Sequence, residues 1–197
     1  MMVKTTGAVL AGGRSERFGS DKRFFKFGDK TLIEIACEKI KNFDEKCLSI
    51  DRGFDIKSLP EVAHDFKVII DKFENKGPLV GIYSTLIEVE SEGCVFIPVD
   101  MPLIPGELLN YMANFTGYDV IYLKSGDRVY PLPGYYSKRL VALIERNIKS
   151  DKLSLMELIF KGEGIKALEI SYWDLKKFGE PDRFLLNVNK VDDILGI

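Results

Sequence analysis

The residues of this 197-residue chain best suited to chemistry are a run of small and cationic residues near its beginning and two acids, Asp71 and Asp100, that each close an apolar stretch. The run is Leu10-Ala11-Gly12-Gly13-Arg14-Ser15-Glu16-Arg17-Phe18-Gly19-Ser20-Asp21-Lys22, and it follows the apolar Gly7–Leu10. Ala11, Gly12, Gly13 and Gly19 let the main chain approach a ligand and turn without a Cβ clash. Arg14, Arg17 and Lys22 bring three cations into the same loop. Free amides ringed by guanidinium and ammonium groups suit a polyphosphate. Asp100 ends Phe96–Val99 and is fenced by Pro98 and Pro102. A carboxylate so placed can hold Mg²⁺ against phosphate oxygens, since Mg²⁺ takes one or two carboxylates plus phosphate and water; it can equally cap the next turn. Asp71 ends Val68–Ile70 and is followed by Gly77-Pro78-Leu79-Val80-Gly81. The two glycines leave a backbone shelf that can read a purine edge, while Pro78 equally suits the first position of a helix.

Two familiar phosphate loops are excluded. A P-loop needs G-x-x-x-x-G-K-[ST], but the interval from Gly13 to Gly19 is too long and no Lys-Ser/Thr pair follows. The dinucleotide fingerprint G-x-G-x-x-G fails because Gly12 and Gly13 are adjacent. His64 is the only histidine, which removes histidine-based triads and multi-histidine metal sites. A formal net charge of -2 gives no global field toward nucleic acid or an acidic membrane, so neither is an expected partner. Cys37, Cys47 and Cys94 form no metal spacing and lie in apolar runs, which reads as buried thiols in a reducing compartment. With no charged-then-apolar leader and no apolar run near the ~18 residues of a membrane span, a cytoplasmic location is expected.

The elements that must position these residues alternate between strand-like and helix-period stretches, the pattern of an α/β fold. Strands are expected at Thr6–Leu10, Cys47–Ile50, Lys67–Ile70, Cys94–Val99 and Val120–Leu123. Helices are expected after Thr31, where Leu32, Ile35, Ala36, Ile40 and Phe43 share a face, and from Pro78 and Pro105. Right-handed crossovers then give a mainly parallel sheet covered on both faces. In the second half, Arg128–Tyr136 reads as a strand or hairpin added at a sheet edge. Lys138–Ile148 and Leu153–Phe160 read as helices, Lys166–Ser171 as a strand, and Phe184–Val188 as a last strand before a short helix. The 46% hydrophobic and 29% charged residues suit one globular domain over 1–197. Ligands of such a sheet bind beyond the carboxyl ends of its strands, where the opening loop, Asp71 and Asp100 would meet.

Taken in order, L-A-G-G-x-S-x-R-F-G-x-D-K at residues 10–22, Asp71 with Gly77-Pro78-Leu79-Val80-Gly81, the strand-ending Asp100 and Asn187-Val188-Asn189 resemble the motifs of the nucleotidyltransferases. They are most similar to those of the molybdenum cofactor guanylyltransferases, and the resemblance runs from Gly7 to about Ile194. It implies a Rossmann-like three-layer α/β/α nucleotidyltransferase fold with a small edge β elaboration. It also implies attack by the phosphate of molybdopterin on the α-phosphorus of GTP. In that reading Mg²⁺ sits on Asp100, and Lys22 and Arg17 offset charge growing on the phosphates. The main chain of Leu10, Ala11, Gly12 and Gly13 grips the nucleotide, Asp71 lies near the nucleoside, and Gly77, Pro78, Leu79 and Gly81 border the base. Tyr130-Pro131 stands where the family carries His-Pro, near the second substrate, although packing in the sheet would explain the same residues. Asn187 and Asn189 would reach the metal or the second substrate, or Asn189 would cap the last helix; Lys190-Val191 replaces the Thr-Pro usual there. Asp51-Arg52 replaces the Asn and Arg usual after the second strand. Cofactor-assembly proteins and apo-molybdoenzymes are the further partners implied. Open alternatives are a CTP-dependent molybdopterin cytidylyltransferase, a sugar-phosphate nucleotidyltransferase and a non-catalytic nucleotide-binding module.

Overall fold

In a computed structural model, which describes residues 5–12, 21–74 and 76–188, the strand made by the first apolar run lies at the middle of the molecule. That strand, β1 (Thr6–Leu10), is buried along its whole length. It pairs in parallel with β4 (Glu45–Ile50) on one side and β6 (Gly93–Pro98) on the other. Space is tight at its second position: a Cβ on Gly7 would lie 3.0 Å from side-chain atoms of Ile40 and Phe43. Beyond β4 lies β5 (Lys67–Ile70), also parallel. Beyond β6 the sheet turns antiparallel through β8 (Arg128–Ser137) and β7 (Val120–Ser125), and β9 (Ala167–Ile170) closes it parallel to β7. Among the described residues the order is therefore β5-β4-β1-β6-β8-β7-β9, four parallel and two antiparallel pairings. The two-residue strands β2 (Lys26–Phe27) and β3 (Lys30–Thr31) form a separate small hairpin, with Gly28 at φ 66° in its turn.

Alternation along the strands divides the core in two. Val9, Leu48, Val95 and Ile97 face one side and meet α1 (Leu32–Lys39) and α3 (Gly106–Ala113), with the one-turn helices α6 (Tyr172–Leu175) and α7 (Pro181–Phe184) adding Leu175 and Phe184. Ala8, Leu10, Cys47 and Phe96 face the other and meet α2 (Pro78–Leu86), α4 (Val141–Lys149) and α5 (Leu155–Lys161). This is the expected three-layer α/β/α arrangement. Thr31 begins α1 through a capping box with Glu34, and Pro78 opens α2 where its missing N–H costs nothing. Cys37 and Cys47 are buried, and burial pushes both thiols up to about 12, so neither is a nucleophile near neutrality.

Two expectations need correction. Arg128–Tyr136 is no edge addition: β8 lies inside the sheet, between β6 and β7. The prolines that suggested an edge instead mark a break within the ladder. Ile121–Leu123 of β7 is opposed by Tyr130–Tyr135 of β8, so the stretch around Pro131–Pro133 leaves the β7 register and forms a wall at the strand ends. The second correction is Phe184–Val188, which is not a strand. Pro181 starts a helical turn that ends at Phe184, and the chain then continues without regular structure until the Val188 N–H donates to the Asp100 carbonyl at 2.8 Å. The short helix expected after it lies outside the described residues. Among those residues no helix is long and apolar enough to cross a membrane.

The β8 wall is pinned from behind by the buried Tyr136, whose hydroxyl donates to the Pro131 carbonyl at 2.9 Å. A Cβ on Gly134 would clash with that same carbonyl and come within 3.0 Å of the Ile121 oxygen and 3.1 Å of the Tyr136 ring. Backbone atoms cannot step aside, so Gly134→Ala is expected to cost about 2–3 kcal/mol in urea unfolding, the range of an overpacked core site. A loss below 0.5 kcal/mol would show that this segment is not held as described.

Candidate active site

Three strand ends define the site. The Ala11 N–H donates to the Ser49 carbonyl at the end of β4 (2.8 Å), and the Val99 N–H at the end of β6 donates to the Leu10 carbonyl (3.2 Å). The main chain leaving β1 is thereby fixed between the two neighbours. Gly12 follows at once, and a Cβ there would lie 2.7 Å from Asp71 Oδ2. Glycine at this position lets the Asp71 carboxylate lie against the backbone.

Lys22 returns to the site on a single 3₁₀ turn, Lys22–Phe24, capped by Asp21. Its side chain is nearly buried, and Nζ lies 3.1 Å from Asp100 Oδ2. The other carboxylate oxygen, Oδ1, is buried with no hydrogen-bond partner among the described residues. An orphaned anionic oxygen is costly unless something binds it. No group of three or more candidate ligands occurs among those residues, so a cation at Asp100 would draw most of its ligands from substrate and water. That donor set fits Mg²⁺, which keeps water and phosphate ligands.

Arg23, the residue after Lys22, carries weight that the sequence reading missed. Its guanidinium donates to the Ala11 carbonyl (2.8 Å), to Asp51 Oδ2 (2.8 Å) and in bidentate fashion to Asp21 (2.7–3.0 Å), and it rests 4.4 Å from the Phe54 ring centre. It therefore ties the chain leaving β1 to the chain arriving at Lys22. Burial works against its charge, yet Asp21 and Asp51 raise its pKa above the ordinary value. Burial would likewise raise the Asp21 carboxyl, but side-chain and backbone hydrogen bonds from Arg23 outweigh it and hold the group below its usual range. The only sequence signal for Arg23 is its adjacency to Lys22 at the loop's end. Asp51 is thus committed to Arg23, while Arg52 turns out toward the Lys72 carbonyl (3.2 Å) and Glu74 (3.5 Å).

Asp71 differs from the other acids of the site. The Ser49 hydroxyl donates to its Oδ1 at 2.6 Å, and no cation pairs with it among the described residues. Burial pushes its carboxyl up to about 6; the Ser49 hydrogen bond pulls the other way and the nearby Asp51 charge adds to the rise. Gly81 is required beside it, because a Cβ there would lie 2.7 Å from Leu10 Cδ2 and 2.9 Å from Ser49 Oγ.

Lys22, Arg23, Ser49, Asp71 and Asp100 line one cleft of about 510 Å³. Of the expected site residues it gathers Leu10, Ala11, Gly12, Lys22, Asp71, Gly77, Pro78, Gly81, Asp100, Tyr130, Pro131 and Asn187. Leu79 is the exception: its side chain is 0% exposed and packs into the core beneath α2, because it faces the sheet one position after Pro78. Gly13, Arg14, Arg17 and Asn189 lie outside the described residues. Arg23, Ser49 and Arg128 line the cleft without having been expected there.

A family model described as the MobA-like NTP transferase domain matches residues 7–163. A curated protein of Geobacillus sp. (strain WCH70), "probable molybdenum cofactor guanylyltransferase", is 31% identical over 201 residues that span 98% of this chain and 100% of that protein. A protein of the same description from Clostridium perfringens (strain 13) is 29% identical, spanning 98% of this chain and 95% of its own. Among solved structures, molybdopterin-guanine dinucleotide biosynthesis protein A from Archaeoglobus fulgidus superposes with a TM-score of 0.80 at 24% identity, covering 98% of this chain and 96% of that one, a likeness of fold.

The Asp71 environment has a measurable consequence. A carboxyl raised from 3.8 to about 6 on folding contributes stability below its unfolded pKa and loses it as pH rises through the folded value. Asp71→Asn keeps an acceptor for Ser49 and removes the charge. At pH 7.5 the variant should exceed wild type by about 1 kcal/mol in urea unfolding, after discounting for partial exposure, and the gain should vanish near pH 4. A variant no more stable at pH 7.5 than at pH 4, relative to wild type, would remove this account of Asp71.

Proposed function

Because the chain belongs to the MobA-like NTP transferase family, we propose that it transfers GMP from GTP to the phosphate of molybdopterin, forming the guanine dinucleotide cofactor and pyrophosphate. The observation that carries this reading is the Lys22–Asp100 pair at 3.1 Å, with the unpartnered Asp100 Oδ1 beside it, in a cleft that also holds the Gly12 backbone and Asp71. Two relatives spanning essentially the whole chain carry the same activity in their names.

The chemistry asks little of a general base. The attacking phosphate is ionised near neutrality, so an acceptor oxygen forms a bond to the α-phosphorus while the α–β bridging bond breaks and its electron pair leaves on pyrophosphate. The protein's work is alignment and charge neutralisation. Lys22, held by Asp100 on one side and by the Arg23-tied turn on the other, presents its ammonium to the phosphates without needing to be reordered. Arg17 adds a second cation in the same loop in this reading, and Gly13 extends the backbone grip. The nucleoside lies on the β4, β5 and α2 side, against the shelf of Gly77, Pro78 and Gly81 and within reach of Asp71. Tyr130, Pro131 and Asn187 on the opposite wall are left for the pterin substrate, and Asn189 joins them in this reading. Asp100 Oδ1 would hold Mg²⁺, which supplies positive charge to the phosphate oxygens when bound.

Lys22→Ala and Asp100→Ala should each lower the rate of pyrophosphate release from GTP plus molybdopterin by at least ~10²-fold, as losing a preorganised charge does. Circular dichroism should be unchanged. In the wild type, GTP should be consumed in preference to CTP, and release should require a divalent cation. Nucleotide binding without release would favour a non-catalytic module, and full turnover in a folded Asp100→Ala variant would overturn its assignment.

A further inference from the structure

The charges in the cleft are balanced unevenly. Lys22 is offset by Asp100, and Arg23 by Asp21 and Asp51. Arg128, on the opposite wall, lies in no ion pair among the described residues. Its guanidinium is held instead by stacking, with Cζ 4.9 Å from the centre of the Tyr130 ring. Tyr130 is itself half-buried against the core, so the ring is a fixed platform. Residues 128 and 130 share a face of β8, two positions apart, just before the chain leaves the β7 register. A guanidinium positioned by a ring face keeps its N–H donors for a ligand, and its planar fork matches the oxygens of a phosphate. This wall is separated from the nucleoside shelf by the Lys22–Asp100 pair at the end of β6, and both border the same cleft.

We infer that Arg128, stacked on Tyr130, is the residue that binds the attacking phosphomonoester of the second substrate and so determines acceptor recognition. The inference rests on the proposed transfer to a phosphate acceptor. A dianionic acceptor approaching a triphosphate is repelled by it, and a cation on the acceptor's own side, not already neutralised by a carboxylate, lowers that repulsion. The same wall carries Tyr130, Pro131 and Leu132 as lining residues, so a flat heterocycle attached to the phosphate has an apolar surface to lie against.

The test is steady-state kinetics of pyrophosphate release with molybdopterin and GTP varied separately, for wild type, Arg128→Ala, Arg128→Lys and Tyr130→Leu. Arg128→Ala should raise the KM for molybdopterin at least ~10-fold, the worth of one charge-assisted hydrogen bond, with the KM and calorimetric affinity for GTP within twofold of wild type. Arg128→Lys should recover part of the loss, and Tyr130→Leu should raise the same KM by releasing the guanidinium. Added guanidinium should partly rescue Arg128→Ala. An unchanged molybdopterin KM in Arg128→Ala, or a rise in the GTP constant instead, overturns the inference while leaving the proposed transfer intact. Absence of pyrophosphate release by the wild type overturns the proposed transfer itself.

Discussion

Acids crowd the carboxyl end of this sheet, and the arrangement depends on how their charge is met. Asp71 and Asp100 line the cleft, Asp21 and Asp51 hold Arg23 at its side, and two cations adjacent in sequence, Lys22 and Arg23, answer three of these four acids. Burying a guanidinium between two carboxylates costs desolvation, which its hydrogen bonds to Asp21, Asp51 and the Ala11 carbonyl offset. Loss of both carboxylates would leave the guanidinium charged and buried. The fourth acid, Asp71, is met among the described residues by the Ser49 hydroxyl, and burial, with the Asp51 charge adding to it, raises its pKa. Among the described residues the site is thus electrostatically incomplete at two points, Asp71 and the buried Asp100 Oδ1, on residues that both line the cleft.

The sheet supplies the geometry on which that balance stands. Parallel strands β5, β4, β1 and β6 bring their carboxyl ends to one rim, so Asp71 and Asp100 arrive there by topology rather than by loop design. The switch to antiparallel pairing at β8 makes the second wall. Proline has no N–H for a ladder, and with Pro131 and Pro133 in the segment β8 departs from β7 where the cleft begins. A wall formed in this way carries Arg128 and Tyr130 on one face. The cleft therefore has a side rich in glycine and main chain and a side rich in aromatic and guanidinium surface, with the lysine–aspartate pair between them.

Much of this was legible in the chain. β1, β5 and the start of α1 follow directly from apolar runs and the Thr31 capping box, because both signals are local. Gly12 and Gly81 were legible as close-approach residues, though what approaches them, Asp71 and Ser49, was not. The Leu79 side chain turns into the core: a motif names consecutive residues, whereas helix periodicity sends positions three and four apart to one face. Phe184–Val188 was misread because an apolar run this short reads equally as a strand or as a buried turn after proline. Arg128–Tyr136 was placed at an edge because prolines disfavour interior strands, a rule that holds per residue and not for a strand with an irregular stretch.

By itself the amino-acid order determined the α/β alternation, the phosphate-loop composition and the two strand-ending acids, since each depends on neighbours a few positions away. Only the tertiary structure decided which charges meet: that Arg23 ties Ala11 to Asp51, that Lys22 lies on Asp100 across 78 positions of chain, and that Arg128 lines the cleft with no ion pair among the described residues. Pairing between distant residues is set by strand order and register, and neither is written in any local stretch.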